Sequence, residues 1–156
     1  MYINLEDIAN RMRVEDLLGI ADESGQLSET DVQDMIANEN YESNTPFLQR
    51  VNEVIADACE MVDSYCASRY PVPFDTVPKI IKKVCAEIAI YYLYSYSPQE
   101  IPSGWQKRHE STIKFLQSVA DGKISLGFFQ ASERTVNEAR VVGNPRLFTR
   151  QSMRGF

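Results

Sequence analysis

Two apolar-striped segments between Phe47 and Tyr96 constrain this chain more than anything else in it. In the first, Leu48, Val51, Ile55, Ala58, Val62 and Tyr65 recur at three- and four-residue intervals, the spacing that stacks side chains on one face of a helix. The second repeats the pattern with Ile80-Ile81, Val84-Cys85, Ile88-Ala89, Tyr92-Leu93 and Tyr96. From Val84 to Tyr96 apolar or aromatic residues fall on nearly every side. A helix of that kind is covered all round, either at the centre of a bundle or in a contact between subunits.

The breaks around this pair are equally legible. Thr45-Pro46 offers a proline at the first helical position, so the first long helix is expected to run from residue 46 to about 69. Pro71 ends it, since an interior proline costs roughly 3 kcal/mol and drives the residue before it toward extended geometry. Pro71, Pro73 and Pro78 stiffen the crossover, and Arg69 is expected in the last turn, near unpaired carbonyls. The stretch Arg69-Tyr70-Pro71-Val72-Pro73 is then either a rigid helix–helix connection or a contact point for a neighbouring molecule.

The remaining elements are shorter. Asn4 can cap a helix carrying Leu5, Ile8 and Met12, with Glu6 and Asp7 at its positive end. Val14 to Ala21 makes a second turn of helix, and Asp22-Glu23-Ser24-Gly25 a loop. A calcium loop fails there: with Gly25 at the sixth position, Ile20 stands where the first aspartate ligand belongs. Ser28 and Asp31 form a capping-box pattern ahead of Val32, Met35 and Ile36. After the break at Ser97-Pro98, a stripe of Trp105, His109, Thr112, Ile113, Leu116 and Val119 marks another helix, stopped at Asp121-Gly122. Lys123 to Gly127 reads as a short extended arm or a strand.

Chemistry is sparse. With 156 residues and a single histidine, neither a nucleophile–histidine pair nor a metal cluster is expected, and there is no phosphate-cradling glycine loop. His109 is expected to be a packed or half-exposed residue. Cys59, Cys66 and Cys85 all fall inside the two long helices, as reduced, packed thiols do, with Cys59 and Cys66 on one face. Cofactor, metal and catalytic residues are therefore expected to be none, and the protein is not expected to be an enzyme. No apolar run approaches the ~18 residues of a membrane span, and the first residues lack the pattern of a secretory signal.

The net charge of −6 is unevenly spread. Residues 1–60 carry 14 acids and three arginines, a balance of −11, whereas residues 130–156 carry five arginines and two acids, a balance of +3. Blocks of opposite sign suggest protein contacts, within one subunit or between copies. Overall acidity argues against a nucleic-acid binder. From Gln130 onward helical periodicity is lost, and arginines alternate with isolated apolar residues. The chain thus divides into a helical domain, 1–129, and an arginine-rich arm, 130–156. The 24 residues from Glu133 to Phe156 can reach on the order of 80 Å when extended. The arm is either a disordered tail or a segment that docks on a partner through residues such as Leu147, Phe148 and Phe156.

Three passages together resemble one family. They are Asp63 to Pro73 (DSYCASRYPVP) followed by Val77-Pro78, Asp121 to Gly127 (DGKISLG), and Asn144 to Phe156 (NPRLFTRQSMRGF). Their order, with Met1-Tyr2-Ile3 leading into Leu5 and Ile8, is similar to that of the small Mu-like prophage proteins whose fold resembles phage head–tail connectors (adaptor or head-completion proteins). The Asn38–Pro46 stretch departs from that pattern in being longer and more polar.

The resemblance implies an all-α bundle of about four to five helices, built on the long pair, with an extended C-terminal arm. It further implies a homo-oligomeric ring, often of twelve copies, below the portal protein of a DNA-filled head, meeting a tail-side connector or tail protein, with DNA only as passing cargo. The location would be the head–tail joint of the virion, and the host cytoplasm during assembly. Candidate partner-binding residues are Arg69, Tyr70, Pro71 and Pro73 in the crossover, and Arg146, Leu147, Phe148, Arg150, Arg154 and Phe156 in the arm. The competing reading is a helical regulatory module that binds another protein through an aromatic surface at Tyr91–Tyr96.

Overall fold

The computed structural model describes residues 1–22, 24–37 and 45–127, and these form six helices with no strand among them. They are α1 (Leu5–Ala9), α2 (Val14–Ala21), α3 (Glu29–Ala37), α4 (Pro46–Cys66), α5 (Lys79–Tyr96) and α6 (Ser103–Ala120). The fold class is all-α, as the periodicity indicated. The three long helices pack on one another, and the short N-terminal ones close the bundle, α1 and α2 against α5 and α2 also against α4.

The all-round apolar stretch of the second segment is explained by its place. Val84, Cys85, Ala86, Ile88, Ala89, Ile90 and Leu93 are all buried, because α4, α6, α1 and α2 each cover part of α5. Of the two options open for this helix, the bundle centre applies. Helix α4 shows the complementary pattern. Val51, Ile55, Ala58, Val62 and Cys66 are inaccessible, while Glu53, Asp57, Glu60 and Ser64 face solvent. Burying a side chain of this class stabilises by about 1.5–3 kcal/mol, so these two stripes account for much of the fold.

The caps follow the sequence closely. Asn4 accepts the Asp7 amide at 3.0 Å, and Asp7 accepts the Asn4 amide at 3.3 Å. Ser28 and Asp31 make the same reciprocal pair, at 3.3 and 2.8 Å, and the bonds from Ser28 hold the Asp31 carboxyl below its usual range. At the end of α6, Gly122 adopts φ +76°. The Lys123 amide then reaches the Ser118 carbonyl at 2.9 Å and the Gly122 amide that of Val119 at 3.0 Å, a Schellman closure.

Two expectations are corrected. Helix α4 stops at Cys66 instead of near 69, because the amides of Arg69 and Tyr70 both turn back onto the Cys66 carbonyl, each at 2.9 Å. Arg69 therefore lies beyond the helix, not in its last turn. Lys123 to Gly127 forms a turn and an irregular segment with no strand pairing. The polar Asn38–Pro46 departure falls mostly outside the described residues.

Candidate interaction surfaces

The crossover between α4 and α5 is held from inside by two tyrosines. Tyr2 is 6% exposed. Its hydroxyl donates to the Asp63 carboxylate and accepts the Phe74 amide at 3.1 Å, and its ring sits 5.6 Å from that of Phe74. Its own amide points to Cys59 Sγ at 3.4 Å. Burial, and then the bond to Asp63, pushes the Tyr2 phenol well above its ordinary 10.0. Tyr70, 3% exposed, also meets the Phe74 ring in a tilted arrangement, centroids 6.4 Å apart. Its hydroxyl accepts the Leu126 amide at 3.0 Å. One ring thus ties the N-terminal residues to the crossover, and the other ties in the segment that follows α6.

This arrangement brings part of the expected site together. The Arg69 guanidinium lies over Gly122, so closely that a Cβ there would overlap it. Both ends of the Gly122–Leu126 segment therefore lie on the crossover, one against Arg69 and the other bonded to Tyr70. Pro71 and Pro73 are exposed on the same crossover, and the Val72–Pro73 peptide bond is cis. Tyr70 faces inward, so it supports this surface from beneath and does not present its ring to a partner. Arg146, Leu147, Phe148, Arg150, Arg154 and Phe156 lie outside the described residues. The Tyr2–Asp63–Phe74 clasp was missed in the sequence; a tyrosine just ahead of the Asn4 cap was its only signal.

The aromatic surface at Tyr91–Tyr96 is mostly spent internally. Tyr91 stacks on His109 with centroids 3.8 Å apart, and the Tyr92 hydroxyl meets Met61 Sδ at 3.0 Å. Tyr94 is 6% exposed, which leaves Tyr96, at 60%, as the ring open to solvent. Burial depresses the His109 imidazole below its usual value, and its Nε2 has no hydrogen-bond partner among the described residues.

Two grooves open beside α6, one of them shared with α5. The antiparallel pairing of these helices follows from Glu87 accepting the Thr112 hydroxyl at 2.6 Å and from Tyr91 stacking on His109. One groove, about 550 Å³, is lined by Lys83, Glu87, Lys107, Arg108 and Ser111. The other, about 540 Å³, opens between the α1–α2 junction and the start of α6, with Arg11, Arg13, Trp105 and Arg108 on its walls. Arg108 belongs to both and sits 4.7 Å above the Trp105 ring, a cation–π placement that fixes the guanidinium.

A larger hollow, about 570 Å³, lies between the α2–α3 loop and the start of α4. Its rim includes Asp22, whose carboxylate accepts the amides of Ser24 and Leu27, both at 2.9 Å. Although desolvation acts upward, these bonds carry the Asp22 carboxyl below its ordinary value. The carboxylate that a calcium reading would use is thus engaged in the turn. No group of three or more metal-ligating side chains gathers among the described residues, and no described helix is long and apolar enough to cross a membrane.

Comparison with known proteins agrees with the resemblance drawn from the motifs. The profile of a family described as "Bacteriophage Mu, Gp36" matches residues 2–143. The "Mu-like prophage FluMu protein gp36" of Haemophilus influenzae is 33% identical over 109 residues, covering 69% of this chain and 75% of that protein. "Gene product J" of Escherichia phage Mu is 30% identical over 107 residues, covering 67% of this chain and 73% of its own length. An all-helical bundle matched over nearly its whole length by that profile belongs to the Bacteriophage Mu Gp36 family.

Proposed function

We propose that this protein is a structural subunit of a phage or prophage head–tail connector, acting by assembly and not by catalysis. In this reading it forms a homo-oligomeric ring below the portal protein, completes the DNA-filled head and receives a tail-side protein, while DNA passes through as cargo. Its place would be the head–tail joint of the virion, and the host cytoplasm before assembly.

The observation that carries the reading is the anchoring of the arm's root. Arg69 packs against Gly122 and Tyr70 accepts the Leu126 amide, so the last described residues ahead of the arginine-rich sequence are seated on the crossover. That is what a subunit needs in order to grip a neighbour without disturbing its own core.

Electron microscopy of lysates from a Mu-like phage or prophage lacking this gene tests the proposal. Filled or leaking heads beside separate, complete tails are the expected result. Intact virions would overturn it and bring forward the regulatory module, whose surface would centre on the exposed Tyr96.

A further inference from the structure

Two charged faces of opposite sign remain on the surface of the bundle. Helix α4 presents Glu53, Asp57 and Glu60 at steps of four and three residues, all exposed. They form one ridge on the side away from the buried Val51–Ile55–Ala58–Val62 stripe. At 1.5 Å per residue that ridge extends about 10 Å. No basic residue interrupts it, and no ion pair among the described residues engages it. The other face is the groove along α5 and α6, where Lys83, Lys107 and Arg108 converge. Glu87 lies in that groove, but its carboxylate is already held by the Thr112 hydroxyl at 2.6 Å and by Lys83 at 3.9 Å. Lys107 has no ion pair among the described residues, and Arg108 is steadied by Trp105. Glu110 is the one exposed acid on the neighbouring turn of α6.

We infer that the acidic ridge of α4 in one copy seats against the Lys83–Lys107–Arg108 groove of the next copy. The two faces project from different helices of one rigid bundle, each opposite its own buried stripe, so a chain cannot satisfy one with the other. A second copy can. The contact is heterologous, because different surfaces meet on the two sides, and such contacts close into rings when the rotation per copy divides a full turn. The charge match fixes register and excludes wrong pairings more than it supplies affinity. The inference rests on the connector reading and names the surfaces by which that ring would form.

The test uses full-length chains expressed in a Mu-like phage or prophage lacking the gene. One variant reverses the ridge (Glu53→Lys, Asp57→Lys, Glu60→Lys), the other the groove (Lys83→Glu, Lys107→Glu, Arg108→Glu). All six positions are exposed, and circular dichroism checks that each variant folds. Alone, each is expected to lower the yield of joined particles on the order of 10- to 100-fold, since three exposed ion pairs become repulsions. Co-expression of the two is expected to restore joining, because every reversed face then meets a face of opposite sign. A misfolded variant cannot produce that rescue. Full complementation by either variant alone, or failure of the co-expressed pair, would overturn the pairing. So would a groove variant that joins heads and tails normally but loses salt-sensitive DNA binding, which would make the groove a phosphate contact. Intact virions without the gene would instead remove the connector reading itself.

Discussion

Replacing Tyr2 with phenylalanine isolates the clasp. The ring is 6% exposed and packs 5.6 Å from Phe74, so Tyr2→Phe keeps the packing and deletes only the hydroxyl. Two bonds go with it, the one donated to Asp63 and the one accepted from the Phe74 amide at 3.1 Å. A hydrogen bond to a charged group contributes about 1.5–3 kcal/mol and a neutral one about 0.5–1.5. The Phe74 amide is left beneath a residue only 7% exposed, where water replaces the lost partner poorly. The expected cost is about 2–4 kcal/mol, which for a chain of this size lowers Tm by roughly 4–16 °C.

Urea titration followed by circular dichroism measures that cost, with Tyr70→Phe as the internal control. Tyr70→Phe removes the neutral bond accepted from Leu126, a half-buried residue whose amide can find water, and the loss of that bond costs about 1 kcal/mol. Combining Tyr2→Phe with Asp63→Asn should show a coupling of about 1–2 kcal/mol. The phenol's raised pKa adds a pH signature. The folded state favours the protonated hydroxyl, so its contribution is complete below 10.0 and is lost as pH rises above that value. Tyr2→Phe should flatten that alkaline loss. A variant within about 0.5 kcal/mol of wild type, with an unchanged alkaline limb, would refute the clasp.

Other outcomes follow from the same structure. His109 is held neutral by burial, with Tyr91 stacked on it and Glu110 pulling weakly the other way. Its contribution is complete above about 6.5 and fades as pH falls through the lower folded value, so His109→Phe should reduce the slope of stability between roughly pH 7 and 5. Gly122→Ala should destabilise by about 1–3 kcal/mol, because φ is +76° and the new Cβ meets Arg69; part of that loss should return in the Arg69→Ala background, as denaturant midpoints will show. Ile88, fully buried at the bundle centre, should cost about 2–5 kcal/mol as alanine. Among the thiols, a water-soluble alkylating reagent followed by mass spectrometry should find Cys59 first. It retains 7% exposure and is drawn down by its bond with Cys85, whereas Cys66 and Cys85 are inaccessible, Cys66 pushed up by burial and Cys85 by its bond with Cys59 and then burial.

How much of this was legible depended on whether a signal was local. The α4 and α5 stripes, the Asn4 and Ser28 caps and the Gly122 stop rest on contacts within a few residues, and each stands where its pattern put it. The end of α4 did not. Pro71 signals a break, but the helix already ends at Cys66, five residues earlier, where the Arg69 and Tyr70 amides close on the Cys66 carbonyl and Tyr70 turns inward to receive the Leu126 amide 56 positions away. No periodicity encodes such a bond. The same long-range bond turns Tyr70 inward, where pattern alone left its stretch as either a rigid connection or a contact point, and the neighbouring Arg69 lies against Gly122. The basic groove was hidden for a related reason, since Lys83 and Lys107 are 24 positions apart and come together only once α5 and α6 pair antiparallel. Sequence therefore describes which helices exist, while packing decides which of their outward residues become one surface. The crossover and the charged faces owe their arrangement to α5, whose contacts with α4, α6, α1 and α2 fix which way each of those helices faces outward.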